Sequence, residues 1–320
     1  MSGFGWASTT DDVLEGVNMR DLSVFITGAN SGLGQETARA MAARGAHVIM
    51  AGRDQGKLDE AVAAIRAEVP GAQLDTITVD LTSLENIRAA TSRARQRFDK
   101  IDILINNAGV MATPFLHTAD GFELQFGTNH LGHFALTGEL FPLIEAGEGT
   151  TGGGRIVNLS SRGHHMGPVH FDDPNFTHRP YDPWSSYGQS KTANVLFSVG
   201  LEQRYAVLGI HAYAVHPGGI ETNLGRHMTQ DMREALMKRV TTSDSGFAWK
   251  TIPQGAATSC WAATAPELEG KGGVYCEDCH VAEVDDTGST GGVRSYALNP
   301  SFADQLWKLS EDLTGVKYPS

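Results

Sequence analysis

The sequence has no long apolar run, few cysteines and a deficit of positive charge, and each of these excludes a class of protein. No run approaches the roughly 20 apolar residues that a membrane-spanning helix needs, and the N-terminus lacks the basic and then apolar layout of a signal peptide. We therefore expect no membrane span and a cytoplasmic location. With 25 Lys and Arg against 37 Asp and Glu, the net charge of −12 argues against nucleic acid or an anionic membrane as a partner.

Three cysteines, Cys260, Cys276 and Cys279, are an odd number without a secretory signal, so we expect reduced thiols. The stretch from Cys276 to His280 has the spacing of a haem attachment site, but that chemistry needs an export route that the sequence does not indicate. A structural zinc needs four ligands, so a turn after a strand is the simpler interpretation. Four histidines of one irregular stretch lack ligand-like spacing, and we predict no metal site. They are His164, His165, His170 and His178.

Strand and helix patterns alternate along most of the chain. An apolar run from Ser23 to Thr27 ends in a glycine-rich turn, Gly28 to Gly34, and an Ala-rich helical stretch follows through Ala43. Further strands are predicted at 47–51, 74–79, 101–105, 155–159 and 210–215, and further helices at 55–67, 84–98, 120–143, 185–206 and 230–239. The 41% hydrophobic content supplies an ample core. The alternation predicts an α/β protein with a single Rossmann-type, doubly wound parallel sheet of about seven strands between two helical layers.

One domain accounts for this pattern, because no linker or internal repeat interrupts it. The predicted parts are an N-terminal lead-in at 1–20, one domain at 21–300 and a C-terminal helical tail at 301–320. Two irregular stretches, 162–184 and 221–253, follow strand ends, where open α/β sheets bind ligands, so we expect a substrate pocket and a lid. Ordinary surface insertions are the alternative. The glycine-rich stretch 147–154 is expected to be an exposed loop.

Tyr187 and Lys191 stand four residues apart in a helical context and therefore share a helix face. A phenol with a pKa of about 10 is a poor acid-base catalyst at neutral pH, but a fixed cation stabilises its phenolate. The two residues are candidates for proton transfer. A Tyr and a Lys at this spacing also occur by chance on half-buried helices.

The first turn and the end of the second strand suit a dinucleotide. Glycines allow close approach of a ligand to the backbone, and free N–H groups at a helix start suit a pyrophosphate. An NAD-preferring protein typically has an acidic residue at the end of the second strand, where this chain has Arg53. NADP(H) is therefore favoured over NAD(H), with Asn30 and Ser31 adding hydrogen bonds to the 2′-phosphate. Asp54 weakens this argument, and Arg53 as a solvated loop residue is the alternative.

Five motifs follow one another along the chain: Thr27 to Gly34, Asp80-Leu81, Asn106 to Gly109, the set Asn129, Ser161, Tyr187 and Lys191, and His216-Pro217-Gly218 with Thr222. Together they resemble the motifs of the short-chain dehydrogenase/reductase family, over about residues 20–280. The resemblance implies a catalytic tetrad of Asn129, Ser161, Tyr187 and Lys191. It also implies a cofactor turn, an adenine contact, a motif after the central strand and a segment that faces the nicotinamide. With Arg53, Tyr187 and Lys191, the predicted cofactor residues are Gly28, Asn30, Ser31, Gly32, Leu33, Gly34, Asp80, Leu81, Asn107, Ala108, Gly109, Pro217, Gly218 and Thr222.

Within the family, the motif wording resembles the subgroup that contains retinol dehydrogenases, WW-domain oxidoreductases and protochlorophyllide reductases. The membrane anchor of many retinol dehydrogenases and the WW modules are not seen, and the cysteine layout does not match protochlorophyllide reductases. We therefore expect a soluble bacterial-type relative that acts on a ketone or aldehyde. Family relatives are often homodimers or homotetramers, although monomers also occur.

The resemblance assigns a role to each member of the tetrad. Tyr187 gives a proton to the carbonyl oxygen and Ser161, rather than its neighbour Ser160, gives a second hydrogen bond. Lys191 lowers the pKa of Tyr187 and holds the nicotinamide ribose, and Asn129 fixes a water that passes a proton to Lys191. Apolar substrate contacts are expected from Met111, Tyr181 and Trp184, beside Ser161 and Tyr187.

The sequence thus predicts an NADP(H)-dependent oxidoreductase that interconverts a carbonyl and an alcohol on a small, moderately apolar molecule. The first alternative is a catalytically silent dinucleotide-sensing or scaffold protein on the same fold. The second, an epimerase or dehydratase of nucleotide sugars, is expected to space its glycines as Gly-x-x-Gly-x-x-Gly, unlike Gly28, Gly32 and Gly34.

Overall fold

The computed structural model describes residues 3–147, 149, 153–243, 248–288 and 290–319. Part of the loop predicted at 147–154 and positions 244–247 of the predicted lid therefore lie outside the described residues. The strands are β1 (Ser23–Thr27), β2 (His47–Gly52), β3 (Leu74–Thr78), β4 (Ile103–Asn106), β5 (Arg155–Leu159), β6 (His211–His216), β7 (Val274–Glu277) and β8 (His280–Val281). The predicted strand bounds agree with these within about two residues, the usual uncertainty of element ends.

The strands form one sheet in the order β3-β2-β1-β4-β5-β6-β7-β8. All neighbours are parallel except β7 and β8. The chain moves outward from β1 to β3 and then returns to place β4 on the other side of β1. This reversal makes the sheet doubly wound, which confirms the predicted fold class, and the short antiparallel β8 is an addition at the edge. The carboxyl ends of β1 and β4 define the switch point, where such sheets bind ligands.

Helices cover both faces of the sheet, which is why its central strands are apolar throughout. The helices are α1 (Thr10–Val13), α2 (Gly32–Ala43), α3 (Gln55–Glu68), α4 (Leu84–Arg97), α5 (Leu124–Phe126), α6 (Gly132–Glu145), α7 (Pro183–Tyr205), α8 (Gln230–Ser243), α9 (Ile252–Thr264) and α10 (Pro300–Thr314). One core lies under α2, α3 and α9 and the other under α4, α6 and α7. Among the residues described, none of the helices combines the length and apolar character needed to cross a membrane.

The long helix predicted at 120–143 is wrong in its start and in its regularity. The carboxylate of Glu123 accepts hydrogen bonds from the N–H groups of Gln125 and Phe126, at 2.9 and 2.7 Å, so α5 begins only at Leu124. A π-helical turn, Gly127–Leu131, then separates α5 from α6. Such turns disturb the helical hydrogen-bond pattern and are frequent at functional sites.

Candidate active site

The turn between β1 and α2 leaves no room for side chains at Gly28 and Gly34. Gly28 has φ +66°, and a Cβ placed on it would lie 3.0 Å from the Cα of Ala108. A Cβ on Gly34 would overlap the carbonyl oxygen of Gly28. Ser31 is the N-cap of α2, but its side chain makes no capping hydrogen bond, so the first N–H groups of this helix remain available. This cradle fits a pyrophosphate.

Thr27 locks this turn to the segment after β4. Its Oγ1 accepts hydrogen bonds from the N–H groups of Asn107 and Ala108, at 2.9 and 3.0 Å. Asn107 Nδ2 in turn donates to the Thr27 carbonyl at 2.8 Å. Because Thr27 Oγ1 already accepts twice, its own proton is free for His133 Nε2, 2.9 Å away, and His133 Nδ1 then donates to the carbonyl of Asn129 at 3.0 Å. A hydrogen-bonded chain therefore joins the cofactor turn to the π-helical turn.

The predicted tetrad comes together at the carboxyl ends of β4 and β5. The Tyr187 hydroxyl is hydrogen-bonded to Ser161, and the Lys191 amine lies 5.7 Å from the centre of the Tyr187 ring. Asn129 lies on the π-helical turn. Its Oδ1 accepts from the N–H of Val110 at 2.8 Å, and its Nδ2 donates to the carbonyl of Val110 at 2.9 Å. A Cβ on Gly109 would lie 3.2 Å from Asn129 Oδ1 and 3.7 Å from Lys191 Nζ, so a glycine leaves the space between them open.

The two adjacent serines have different partners. Ser160 Oγ is buried and donates to the carbonyl of Lys191 at 2.8 Å. Ser161 Oγ accepts from the N–H of Gly163 at 3.0 Å and faces Tyr187. Ser161 and not Ser160 therefore faces Tyr187, and its role toward a substrate stays a prediction.

Burial governs the proton affinities of the tetrad. It raises the pKa of Tyr187 to about 12, against a smaller opposing effect of the hydrogen bond with Ser161. It lowers the pKa of Lys191 to about 7, and the amine donates to the carbonyl of Leu159 at 2.9 Å. The net shift of the Tyr187 pKa is upward, and the lowering by Lys191 that the resemblance implies stays a prediction. Tyr187 is therefore a protonated phenol at neutral pH.

His164 positions Ser161, a role that the sequence pattern does not indicate. It is buried, and its Nε2 accepts from the backbone N–H of Arg294 at 3.2 Å. Its Nδ1 therefore carries the proton and donates to the carbonyl of Ser161 at 2.8 Å. Burial lowers the pKa of His164 to about 3, which keeps the ring neutral. Across the described ranges, no group of three or more His, Cys, Asp or Glu is arranged to hold a metal ion.

The adenosine side of the predicted cofactor site is built from β2, β3 and α3. Arg53 is exposed at the end of β2. The Asp80 carboxylate accepts from the N–H and the hydroxyl of Thr82, at 2.9 and 2.8 Å, and Leu81 is buried against Gly132. A cavity of about 380 Å³ lies beside the turn. It is lined by Asn30, Ser31, Gln35, Lys57, Glu60, Ala61, Ala64 and Asn223.

Lys57 lines this cavity but is absent from the predicted site, although its position after the second strand could have indicated it. It lies in the first turn of α3, four residues after Arg53, where a second cation is close to the same strand end.

The segment predicted to face the nicotinamide is fixed by Lys250, which sequence reasoning missed. Gly218, which follows Pro217, has φ +101°, and a Cβ on it would lie 2.8 Å from Lys250 Cδ. The N–H of Lys250 donates to the carbonyl of Gly219 at 2.9 Å, and its buried amine pairs with Asp278 at 2.5 Å. Lys250 is about 30 residues from Gly218 in the chain, so the sequence pattern does not indicate that it supports this segment.

Of the predicted substrate residues, Tyr181 has the best-defined surroundings. Its hydroxyl donates to the carbonyl of Thr113 at 2.9 Å and accepts from Gln125 Nε2 at 3.0 Å. Its ring stacks on the exposed Phe115 at 4.8 Å. The other two are half-buried: Met111 follows the backbone that Asn129 holds, and Trp184 lies in the first turn of α7. Both positions border the tetrad segments.

A doubly wound sheet with a glycine-rich turn at its switch point is typical of dinucleotide-binding dehydrogenases. A family model described as short chain dehydrogenase matches residues 23–233. The short-chain dehydrogenase TIC 32 B, chloroplastic, of Brassica napus is 40% identical over 315 residues, covering 97% of this chain and 93% of the relative. Retinol dehydrogenase 14 of Homo sapiens is 37% identical over 311 residues, covering 93% and 88%.

A crystal structure of an uncharacterized protein from Mycobacterium paratuberculosis is 35% identical, covers 98% of this chain and 100% of its own, and superposes with a TM-score of 0.73. The chain therefore belongs to the short-chain dehydrogenase family of oxidoreductases. The predicted family and its resemblance to retinol dehydrogenases are confirmed.

Proposed function

We propose that the protein is an NADP(H)-dependent oxidoreductase that interconverts a ketone or aldehyde with the corresponding alcohol. The observation that carries this proposal is the convergence of Ser161, Tyr187 and Lys191 beside a backbone cradle that fits a dinucleotide. The fold alone does not define a reaction, because one fold hosts many chemistries, whereas a proton donor beside a dinucleotide cradle does point to one.

Several parts of the chain would hold the cofactor. The glycine turn and the start of α2 would bind the pyrophosphate, Asp80 and Leu81 the adenine, and Pro217, Gly218 and Thr222 the nicotinamide side. Asn107 and Ala108 support the turn through their hydrogen bonds with Thr27, and Gly109 would leave space for the cofactor beside Asn129 and Lys191. When bound, the nicotinamide supplies a hydride to the carbonyl carbon in reduction and accepts one in oxidation.

Tyr187 is suited to donate a proton to the substrate oxygen. Its pKa of about 12 keeps the phenol protonated, and transfer becomes favourable as the oxygen gathers negative charge during reduction. The Ser161 hydroxyl gives a second hydrogen bond to the same oxygen. In its charged form, the Lys191 amine stabilises the phenolate that remains, and we assign Asn129 to hold the water that returns a proton through Lys191. Reduction is the favoured direction.

The environment of Asp54 supports NADP(H) over NAD(H). Its carboxylate caps α3 by accepting from the N–H of Lys57 at 3.1 Å, so it is engaged by the helix. Arg53 and Lys57 are both exposed beside the cavity and offer positive charge to a 2′-phosphate. Because Asp54 caps the helix, it offers a weaker argument for NAD(H) than a free carboxylate would.

The substrate side is proposed to take a small, moderately apolar carbonyl compound. Met111, Tyr181 and Trp184 offer apolar surface around Ser161 and Tyr187, and the remaining polar groups of the tetrad define one oxygen position. The cytoplasmic location and the homodimeric or homotetrameric assembly stay predictions.

The test is turnover of a panel of ketones and aldehydes by the purified protein with NADPH or NADH, followed by the absorbance of the reduced nicotinamide. We expect turnover with NADPH and a lower kcat/KM with NADH. Tight NADPH binding without turnover of any carbonyl would instead favour the dinucleotide-sensing alternative. Conversion of a nucleotide sugar without net consumption of cofactor would favour an epimerase.

A further inference from the structure

The first part of the predicted lid, the stretch 221–253, packs against the cofactor turn. Thr222 caps a single 3-10 turn, Asn223–His227, that follows β6. The Thr222 methyl carbon lies 3.7 Å from the place where a Cβ on Gly32 would be. Asn223 lines the same cavity as Ser31, which belongs to the start of α2. The lid therefore forms one wall of the cavity, opposite α3.

This wall brings a further cation toward the end of β2. Arg226 lies on the 3-10 turn, and its guanidinium donates to the carbonyl of Asn223 at 3.1 Å, which turns it back toward the cavity wall. Desolvation and the positive charge of Arg53 lower the pKa of Arg226, and desolvation, Arg226 and Arg53 lower that of His227. Arg53, from β2, and Arg226, from the lid, are therefore close enough to repel one another.

These cations lack the partners that surface cations usually have. In the part of the chain that the structure describes, the salt bridges include none from Arg53, Lys57 or Arg226. Glu60 is a carboxylate of the cavity wall, on α3. Lys57 lines the cavity, Arg53 follows Gly52, where a Cβ would lie 3.1 Å from Asn30 Oδ1 of the cavity wall, and Arg226 is held to Asn223 of the same wall. In a chain with a net charge of −12, three cations gathered at the wall of one cavity form an anion-binding arrangement.

We propose that Arg226 is a specificity-determining residue that binds the 2′-phosphate of NADP(H) from the lid side, opposite Arg53. This inference rests on the proposed NADP(H)-dependent function and extends it to the lid. The phosphate offers three acceptor oxygens, and a guanidinium on each side satisfies them from two structural elements. Bound NADP(H) therefore fastens the start of the lid to the end of β2, whereas NAD(H), which lacks the phosphate, does not.

The test compares dissociation constants of NADPH and NADH, measured by calorimetric titration, for the wild type and three variants. Arg226→Ala is expected to weaken NADPH binding by about tenfold or more and to leave NADH nearly unchanged, because one charge-assisted contact is lost. Arg226→Lys, which keeps the charge, restores part of the loss. Lys238→Ala removes one positive charge from α8 of the same lid and serves as the matched control, with little effect on either cofactor.

A second readout follows the lid directly. Hydrogen exchange of the backbone over 221–243 is expected to slow more with NADPH than with NADH in the wild type, and this difference disappears in Arg226→Ala. Equal weakening of both cofactors, or no weakening, would overturn the role of Arg226. Arg53→Ala separates the lid contact from the NADP(H) preference. A selective NADPH loss in Arg53→Ala without one in Arg226→Ala refutes only the lid contact. A wild type that binds both cofactors equally refutes the NADP(H) assignment as well.

Discussion

Replacement of Lys191 by methionine should stabilise the protein while it removes activity. Burial lowers the pKa of Lys191 from 10.5 to about 7, and each pKa unit corresponds to about 1.4 kcal/mol. Below pH 7 the folded protein therefore carries a penalty of up to about 5 kcal/mol for the buried charge. Methionine has a similar volume, and the carbonyl of Leu159 keeps a hydrogen bond from Asn194 at 2.8 Å. Loss of the amine hydrogen bond offsets about 1–2 kcal/mol, so a net gain of about 3 kcal/mol is expected near pH 6.

The dependence on pH distinguishes this effect from packing. Between pH 7 and 10.5 the unfolded chain binds a proton at Lys191 that the folded protein has released, so wild-type stability rises with pH across this window. The variant lacks that rise, and its advantage should disappear by about pH 10. Urea unfolding of both proteins across this range measures the difference, with Lys271→Met at an exposed position as the control. A stability difference that stays constant with pH would refute the reasoning.

Two further predictions concern the cofactor turn and the buried histidines. Gly34→Ala should lower the free energy of unfolding by about 1–3 kcal/mol and abolish dinucleotide binding, because its Cβ overlaps the carbonyl of Gly28. Gly56→Ala is the control, since the atom nearest to its added Cβ is 3.4 Å away. Urea unfolding and cofactor titration should show that Gly56→Ala keeps both stability and binding. Three buried histidines have pKa values of about 3 to 4 in the folded protein, so just below pH 6.5 they gain protons only when the protein unfolds. The free energy of unfolding should therefore fall steeply on acidification, by up to about 1.4 kcal/mol per histidine per pH unit. Urea midpoints that do not change between about pH 6 and 4.5 would contradict this. The three histidines are His130, His133 and His164, and burial is the main cause of each shift.

The sheet and the placement of Tyr187 and Lys191 on one helix face were predictable because their signals are local. Apolar runs and glycine turns predicted strands and helices within a few residues, and Tyr187 and Lys191 are one helical turn apart in the chain. Family motifs then added Asn129 and Ser161, which are distant in sequence.

The remaining parts depend on contacts between distant segments. The π-helical turn carries Asn129, whose amide hydrogen-bonds the backbone of the distant Val110. The N-cap formed by Glu123 is the exception, because it is local but is not encoded in the apolar periodicity. The roles of His133, His164 and Lys250 come from hydrogen bonds or packing across elements. The direction of the Tyr187 pKa shift, upward by burial and only partly opposed by the hydrogen bond with Ser161, depends on how deeply the side chain is buried.

The central claim is that Tyr187 transfers the proton, and Tyr187→Phe tests it most directly. The measurement is single-turnover reduction of the best carbonyl substrate, together with the dissociation constant of NADPH. Tyr205→Phe is the matched control, since it removes a hydroxyl from the other end of α7 that donates to the carbonyl of Pro319 at 2.7 Å. We expect Tyr187→Phe to bind NADPH nearly as well as the wild type and to lose turnover, while Tyr205→Phe keeps its turnover. A Tyr187→Phe variant that retains more than about a tenth of the wild-type rate would contradict the account.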